Sequence, residues 1–195
     1  MLLLIAGLVL FLGTHAVSMA RGPRAALVGR LGEGGFKGLY TTLSLLGFAL
    51  IVYGFGAYRA AGMVPVWNPP FWMAHLTLLL TLPIFVLLAA TNSGGVIHAA
   101  VKHPMLLAVK IWATAHLLAN GDLGSILLFG GFLAWAVMAR ISLKRRAGVR
   151  LPPRPAGFTS RDWSALAVGL VLWFVFARWL HAWLIGVSAW PGRGA

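Results

Sequence analysis

Residues 103–122 read HPMLLAVKIWATAHLLANGD, an apolar helix of membrane-spanning character that nevertheless carries His103, Lys110, His116, Asn120 and Asp122. An ionisable side chain deep in hydrocarbon costs about 2.5–3.5 kcal/mol on insertion scales, so a span that keeps several is using them. The spacing sharpens this. Trp112 and Asn120 sit one turn before and one turn after His116, on its face of the helix. Lys110 shares a face with His103.

The donor types narrow the chemistry. The chain has 6 histidines, no cysteine, and only three acids, Glu33, Asp122 and Asp162. Thiolate nucleophiles and thiolate metal sites are excluded, and so are disulfides. No Ser-His-Asp set, glycine-rich phosphate loop or carboxylate pair can be assembled, which removes hydrolase and ATPase readings. Too few oxygen donors are present for a hard-metal cage. Of the histidines, His98 is expected in a loop and solvated, and His103 at the start of a span as an interfacial or capping group. His75 and His181 fall near outer ends, His181 on one face with Arg178. His15 and His116 differ, because both lie inside apolar runs.

At 1.5 Å of rise per residue, His15 lies roughly 20 Å into the first span and His116 roughly 18 Å into the fourth, entered from opposite sides. These depths allow the two to face one another. Two imidazoles facing across an apolar bundle interior hold haem iron in many proteins. The alternative is that each donates to a carbonyl or hydroxyl of a neighbouring helix and only builds the bundle. Around them, Trp112 and Asn120 would line the site. Lys110 would either offset a haem propionate or snorkel to the headgroups. Asp122 would either join the site or cap the following helix, with Ser125 three residues on.

The elements that must position these groups follow from composition. The chain has 195 residues, 60% hydrophobic and 10% charged, with mean hydropathy +0.88, a balance that no soluble domain of this size has. The expected fold is all-α: a single transmembrane helical bundle over residues 1–195 with six spans. They are Leu2–Met19, Leu39–Tyr58, Trp72–Ala90, Pro104–Ala119, Leu123–Ala139 and Ser164–Val187. Asn120-Gly121-Asp122 is a turn signal between the fourth and fifth, Pro104 suits the first position of a helix, and Pro83 falls inside the third span. The first span is read as retained rather than cleaved, since no basic residue precedes it and His15 lies within it.

Most of the 16 basic residues fall on one side of these spans. Arg21, Arg24, Arg30 and Lys37 lie between the first and second, and Lys102 between the third and fourth. Arg140, Lys144, Arg145, Arg146, Arg150, Arg154 and Arg161 lie around the basic loop 140–161. The positive-inside bias places those loops in the cytoplasm and both termini on the periplasmic or exterior side, with the bacterial inner membrane as the location. Lipid headgroups and topology account for the net charge of +13, and nucleic acid is not an expected partner. Trp67, Trp72, Trp183 and Trp190 read as an interfacial belt.

The segment Phe11-Leu-Gly-Thr-His15, Arg21, His103-Pro104, and the run from Lys110 through Trp112, His116 and Asn120 to Asp122 carry a resemblance. With Ser125 and Leu128-Phe129-Gly130, they resemble the NnrU family of membrane proteins over nearly the whole chain. Bacterial members are named for an association with denitrification, through nitrite and nitric oxide reductase expression or maturation. The family also includes the zeta-carotene isomerase of plants and cyanobacteria, which uses haem b held by two histidines to isomerise a cis double bond without net redox change. The resemblance implies haem b with His15 and His116 as iron ligands. Two activities follow from it: cis–trans isomerisation of a polyene, or a non-enzymatic accessory role in denitrification with membrane-protein partners or a second copy of the chain. The interval from His103 to His116 also fits the isomerase pattern. One position departs from it, since Ala113 stands where that enzyme has a cysteine three residues before the second ligand.

Overall fold

The computed structural model describes residues 1–145, 153 and 155–190. The described residues are mostly helical. The helices are α1 (Leu2–Val17), α2 (Arg21–Ala60), α3 (Trp72–Ala89), α4 (Val96–Val101), α5 (Pro104–Ala119), α6 (Leu123–Lys144), α7 (Ser160–Val175), a π-helical segment (Phe176–Leu180) and α8 (His181–Ile185). Among them, α2, α3, α6 and the continuous run Ser160–Ile185 are long and apolar enough to cross a membrane. The helices α1 and α5 have 16 residues each, or about 24 Å at 1.5 Å per residue, against a hydrocarbon core of about 30 Å. Large apolar side chains point outward along the chain, with Leu2 84% and Trp183 79% exposed, the surface expected of helices solvated by lipid. Arg146, Arg150 and Arg154, counted above in the basic loop, lie outside the described residues.

The chain forms two compact units, one of Met1–Trp67 with Gly121–Arg145, the other of Asn68–Asn120 with Arg146–Ala195. In the first unit, α1 and α2 meet through glycine. Gly47 and Gly54 lie seven residues apart on one face of α2, and Gly7 answers them from α1. A Cβ at Gly47 would sit 2.8 Å from the Phe11 nitrogen, and one at Gly7 2.6 Å from the Ile51 nitrogen, while one at Gly54 would strike the Leu4 backbone. With no hydrophobic drive between helices in lipid, such backbone approach is what holds them.

The stretch 21–37, expected as a loop, is helical. Pro23 lies in the first turn, where it is tolerated, and basic residues do not break a helix. The interruption comes at Gly32, whose φ of 72° and ψ of 167° only glycine adopts readily. Glu33 pairs with Arg24 before the break and with Lys37 after it, each at 3.7 Å.

The start of α6 is fixed by Asp122, whose carboxylate accepts from the Ser125 nitrogen at 2.9 Å, a side-chain N-cap. The segment 64–67 is laid against this start. The nitrogens of Val66 and Trp67 donate to the Gly121 oxygen, and the Leu123 nitrogen donates to the Val64 oxygen. The Tyr58 ring fills the space over Gly124, and its hydroxyl accepts from the Val64 nitrogen at 2.8 Å.

In the second unit, α3 packs between α5 and α7. Ile84, Leu87 and Ala108 form its core with Ile97, Ile111 and Trp112 around them. Pro83 is accommodated within α3, which continues through it. Gly169 of α7 lies on the Val86 backbone of α3. Two polar side chains bridge helices. The Thr77 hydroxyl donates to the Ala115 carbonyl at 2.8 Å, and the Trp173 indole N–H donates to the Thr81 hydroxyl at 3.2 Å. Interhelical bonds of this kind average about 0.6 kcal/mol in membranes. Thr77→Val is therefore expected to lower unfolding stability by about that amount, read from reversible unfolding in mixed micelles.

Asp162 ties this unit together. Its side chain is fully buried. It forms a capping box at the start of α7, accepting from the Thr159 nitrogen at 2.9 Å and the Thr159 hydroxyl at 2.7 Å. The same carboxylate accepts from the Val96 and Ile97 nitrogens at 3.1 and 2.9 Å, capping α4 as well. Gly95 must be glycine here, since a Cβ would strike that carboxylate. Next to it, the Arg161 guanidinium donates to the Ser93 carbonyl at 3.1 Å. Asp162→Asn replaces one acceptor oxygen by a donor among four donors. The expected result is a lower Tm and new protease cleavage within residues 91–97, with the membrane-embedded helices retained.

Candidate functional site

Helix α5 begins at Pro104 in the first turn and ends at Asn120. At that end both the backbone nitrogen and the side-chain amide of Asn120 donate to the His116 carbonyl, at 2.9 and 2.8 Å. They satisfy a carbonyl that the helix end would otherwise leave open. One turn earlier, the Nδ1 of His116 donates to the Trp112 carbonyl at 2.9 Å, and the Trp112 ring lies 5.5 Å from the imidazole. Trp112 and Asn120 thus flank His116. Because a carbonyl only accepts, Nδ1 carries the proton and Nε2 of the neutral ring holds the lone pair.

Within the same unit a second imidazole stands beside it. The His181 ring centre is 6.4 Å from that of His116, with the planes 30° apart. The Nδ1 of His181 donates to the Val187 carbonyl at 2.7 Å. Gly186 makes this contact possible by taking the left-handed conformation, φ 76°, that turns the chain back after α8. Phe176 stands edge-on to His181 at 5.8 Å. The π-helical turn Phe176–Leu180 comes directly before His181. Such wide turns insert a residue into the helix and are common at functional sites.

In the first unit, His15 has the same local anchor as His116. Its Nδ1 donates to the carbonyl four residues back, that of Phe11, at 2.8 Å. Its ring stacks on Phe11 at 4.2 Å, with Tyr40 at 5.2 Å and Trp135 edge-on at 5.7 Å. Tyr40 lies one heptad before Gly47, on the face of α2 that receives α1. The buried indole N–H of Trp135 has no hydrogen-bond partner.

His103 occupies the N-cap position of α5, and Lys110 is half-buried on the same helix. Asp122 serves α6 as its cap. Ala113 is fully buried. His75 is exposed, against the edge of Phe71 at 5.1 Å. His98, expected to be solvated in a loop, lies instead in α4 with its Nδ1 buried and unpartnered. Sequence reasoning missed the His116–His181 proximity and the double role of Asp162. Among the described residues, no group of three or more His, Asp or Glu side chains could hold a metal ion by itself.

The fold and these histidines define a helical protein of membrane type, with imidazoles anchored to backbone carbonyls in its apolar helices. The family model described as "NnrU protein" matches residues 3–189, and the chain belongs to the NnrU family. No curated protein and no solved structure matches it.

Proposed function

We propose that this chain is a haem-b-binding protein of the bacterial inner membrane, with six spans and both termini on the exterior side. His116 supplies one iron ligand, and the family resemblance points to His15 for the other. The observation that carries this reading is the shared anchoring of both imidazoles, Nδ1–H to a backbone carbonyl one turn back. Metal-ligating histidines almost always donate their second ring nitrogen in this way, which fixes the ring and raises its basicity. The donor set fits haem. It is neutral and imidazole-only, and the porphyrin supplies the four remaining nitrogens. The unpartnered Trp135 indole N–H beside His15 suits a ligand that carries acceptor groups.

When bound, haem iron supplies a Lewis-acidic centre that can engage a double bond. The residues around it hold and orient. Nδ1–H of His116 fixes its ring through the Trp112 carbonyl, and Asn120 secures the helix end that carries it. Lys110, half-buried on α5, would neutralise a propionate. Of the two activities the resemblance offers, cis–trans isomerisation of a polyene would draw on the iron and an apolar surround. Ala113, fully buried and without a donor atom, favours the second, haem binding without turnover in an accessory role.

The test is the absorption spectrum of the protein purified from membranes of haem-supplied cells. A Soret band with low-spin character supports the proposal, and its absence from pure, folded protein rejects it. A deletion strain separates the activities: an accumulated cis-polyene marks the isomerase, and impaired nitrite reduction marks the accessory factor.

A further inference from the structure

We infer that the recess between the end of α3 and the start of α7 is a binding site for an anionic phospholipid, with Arg161 holding the lipid phosphate. The site involves none of the histidines and stands apart from the haem reading. The recess has a volume of about 390 Å³ and lies within one compact unit. Its polar side chains are those of Asn92, Ser93, Arg161 and Ser164. Ala89, Ala165 and Val168 complete its walls.

The cation is built into the fold. The Arg161 guanidinium donates to the Ser93 carbonyl at 3.1 Å, and a Cβ on Gly94 would lie 3.3 Å from it. Gly94 takes φ 67°, which brings the loop against the guanidinium with no side chain between them. A guanidinium carries five N–H donors in a planar fork. The bond to Ser93 uses one of its nitrogens and leaves the rest of the fork for a second acceptor. Among the described residues no carboxylate forms an ion pair with Arg161. The adjacent Asp162 is fully buried, its carboxylate given over to the donors of Val96, Ile97 and Thr159. A positioned guanidinium with hydroxyl and amide groups beside it is suited to a phosphate.

The place in the membrane selects what carries that phosphate. Both flanking helices are long and apolar enough to be spans, and the recess lies where one ends and the other begins. Arg161 and Val168 are two turns apart on α7, about 10 Å along the axis. A headgroup layer is about 5–8 Å thick on each side of the hydrocarbon. A groove with Arg161 at headgroup level therefore reaches the acyl chains at Val168. Val168 is half-exposed, and Ala89 and Ala165 are small, which leaves width for a chain. One residue further on, Gly169 lies on the Val86 backbone and brings the two helices together. A free phosphate ion gains nothing from this apolar continuation, whereas a phosphate diester with acyl tails fills it. Basic pockets between membrane helices bind lipid headgroups in this manner.

The test is native mass spectrometry of the full-length chain reconstituted with equal phosphatidylglycerol and phosphatidylcholine, counting the lipid retained through detergent exchange. The wild type is expected to retain phosphatidylglycerol in preference. Arg161→Gln should lower that preference about fivefold, the effect of one cation at a membrane surface, and Arg161→Lys should keep most of it. Val168→Trp leaves the caps of α7 and the cation in place and fills the apolar end, so it should also lower retention of phosphatidylglycerol. Arg30→Gln removes a cation outside the recess and should change nothing. Inorganic phosphate should not displace the lipid. Equal retention of both lipids by the wild type, or an undiminished preference in Arg161→Gln, overturns the inference. An equal loss in Arg30→Gln overturns it in favour of general surface charge. Displacement by inorganic phosphate, with Val168→Trp behaving as wild type, overturns it in favour of a free phosphate site.

Discussion

His116→Ala is expected to purify with most of its haem lost, the largest functional effect of any single substitution in this chain. The imidazole it removes is the first iron ligand proposed above. Loss of even a group that only orients a metal ligand lowers affinity about 10–100-fold, so loss of the ligand itself should cost at least tenfold. The measurement is the haem-to-protein ratio by absorption after equal exposure to haemin. His75→Ala is the control: that ring is exposed, against Phe71, and its loss should leave the spectrum unchanged. Asn120→Ala should fall between. It removes a hydrogen bond to the His116 carbonyl but leaves the Asn120 backbone bond to the same atom.

The largest effect on stability is expected at Gly54. A Cβ there strikes the Leu4 backbone, which cannot rotate away as a side chain would. Overpacking of a fitted interface costs about 1–3 kcal/mol, and Gly54→Leu should exceed the alanine variant. Gly47→Ala meets Phe11 in the same manner and should also shift the His15 ring, which stacks on Phe11. Gly13→Ala has open space around it and should be neutral, or stabilising by up to about 1 kcal/mol through helix propensity. Unfolding by titration with a denaturing detergent, followed by circular dichroism, ranks the three.

Short-range features of this fold are legible in the sequence. Pro104 opens α5, Asp122 caps α6, and Trp112, His116 and Asn120 share a face, because each depends on residues within one or two turns. Charge pattern misleads at 21–37, where cationic side chains suggest a loop although Ala and Leu between them sustain a helix up to Gly32. Asp162 looks like a loop acid, since its partners at Val96 and Ile97 lie over sixty residues away. His181 is the most instructive case. Helical periodicity places it on the face of Arg178, but the counting that supports this assumes a regular helix across 178–181. The π-helical turn breaks that count, and no residue type announces it.

The carboxylate of Asp162 also sets an order of events during synthesis. The nitrogens of Val96 and Ile97 leave the ribosome long before residue 162 exists, and the residues between include α6, which belongs to the other compact unit. Until the last span emerges, α4 has no acceptor for its first turn. Maturation of this half of the protein must therefore wait for the C-terminal helix. Nascent chains arrested before residue 160 would present 91–97 as an open, protease-accessible segment, and extension past α7 would close it.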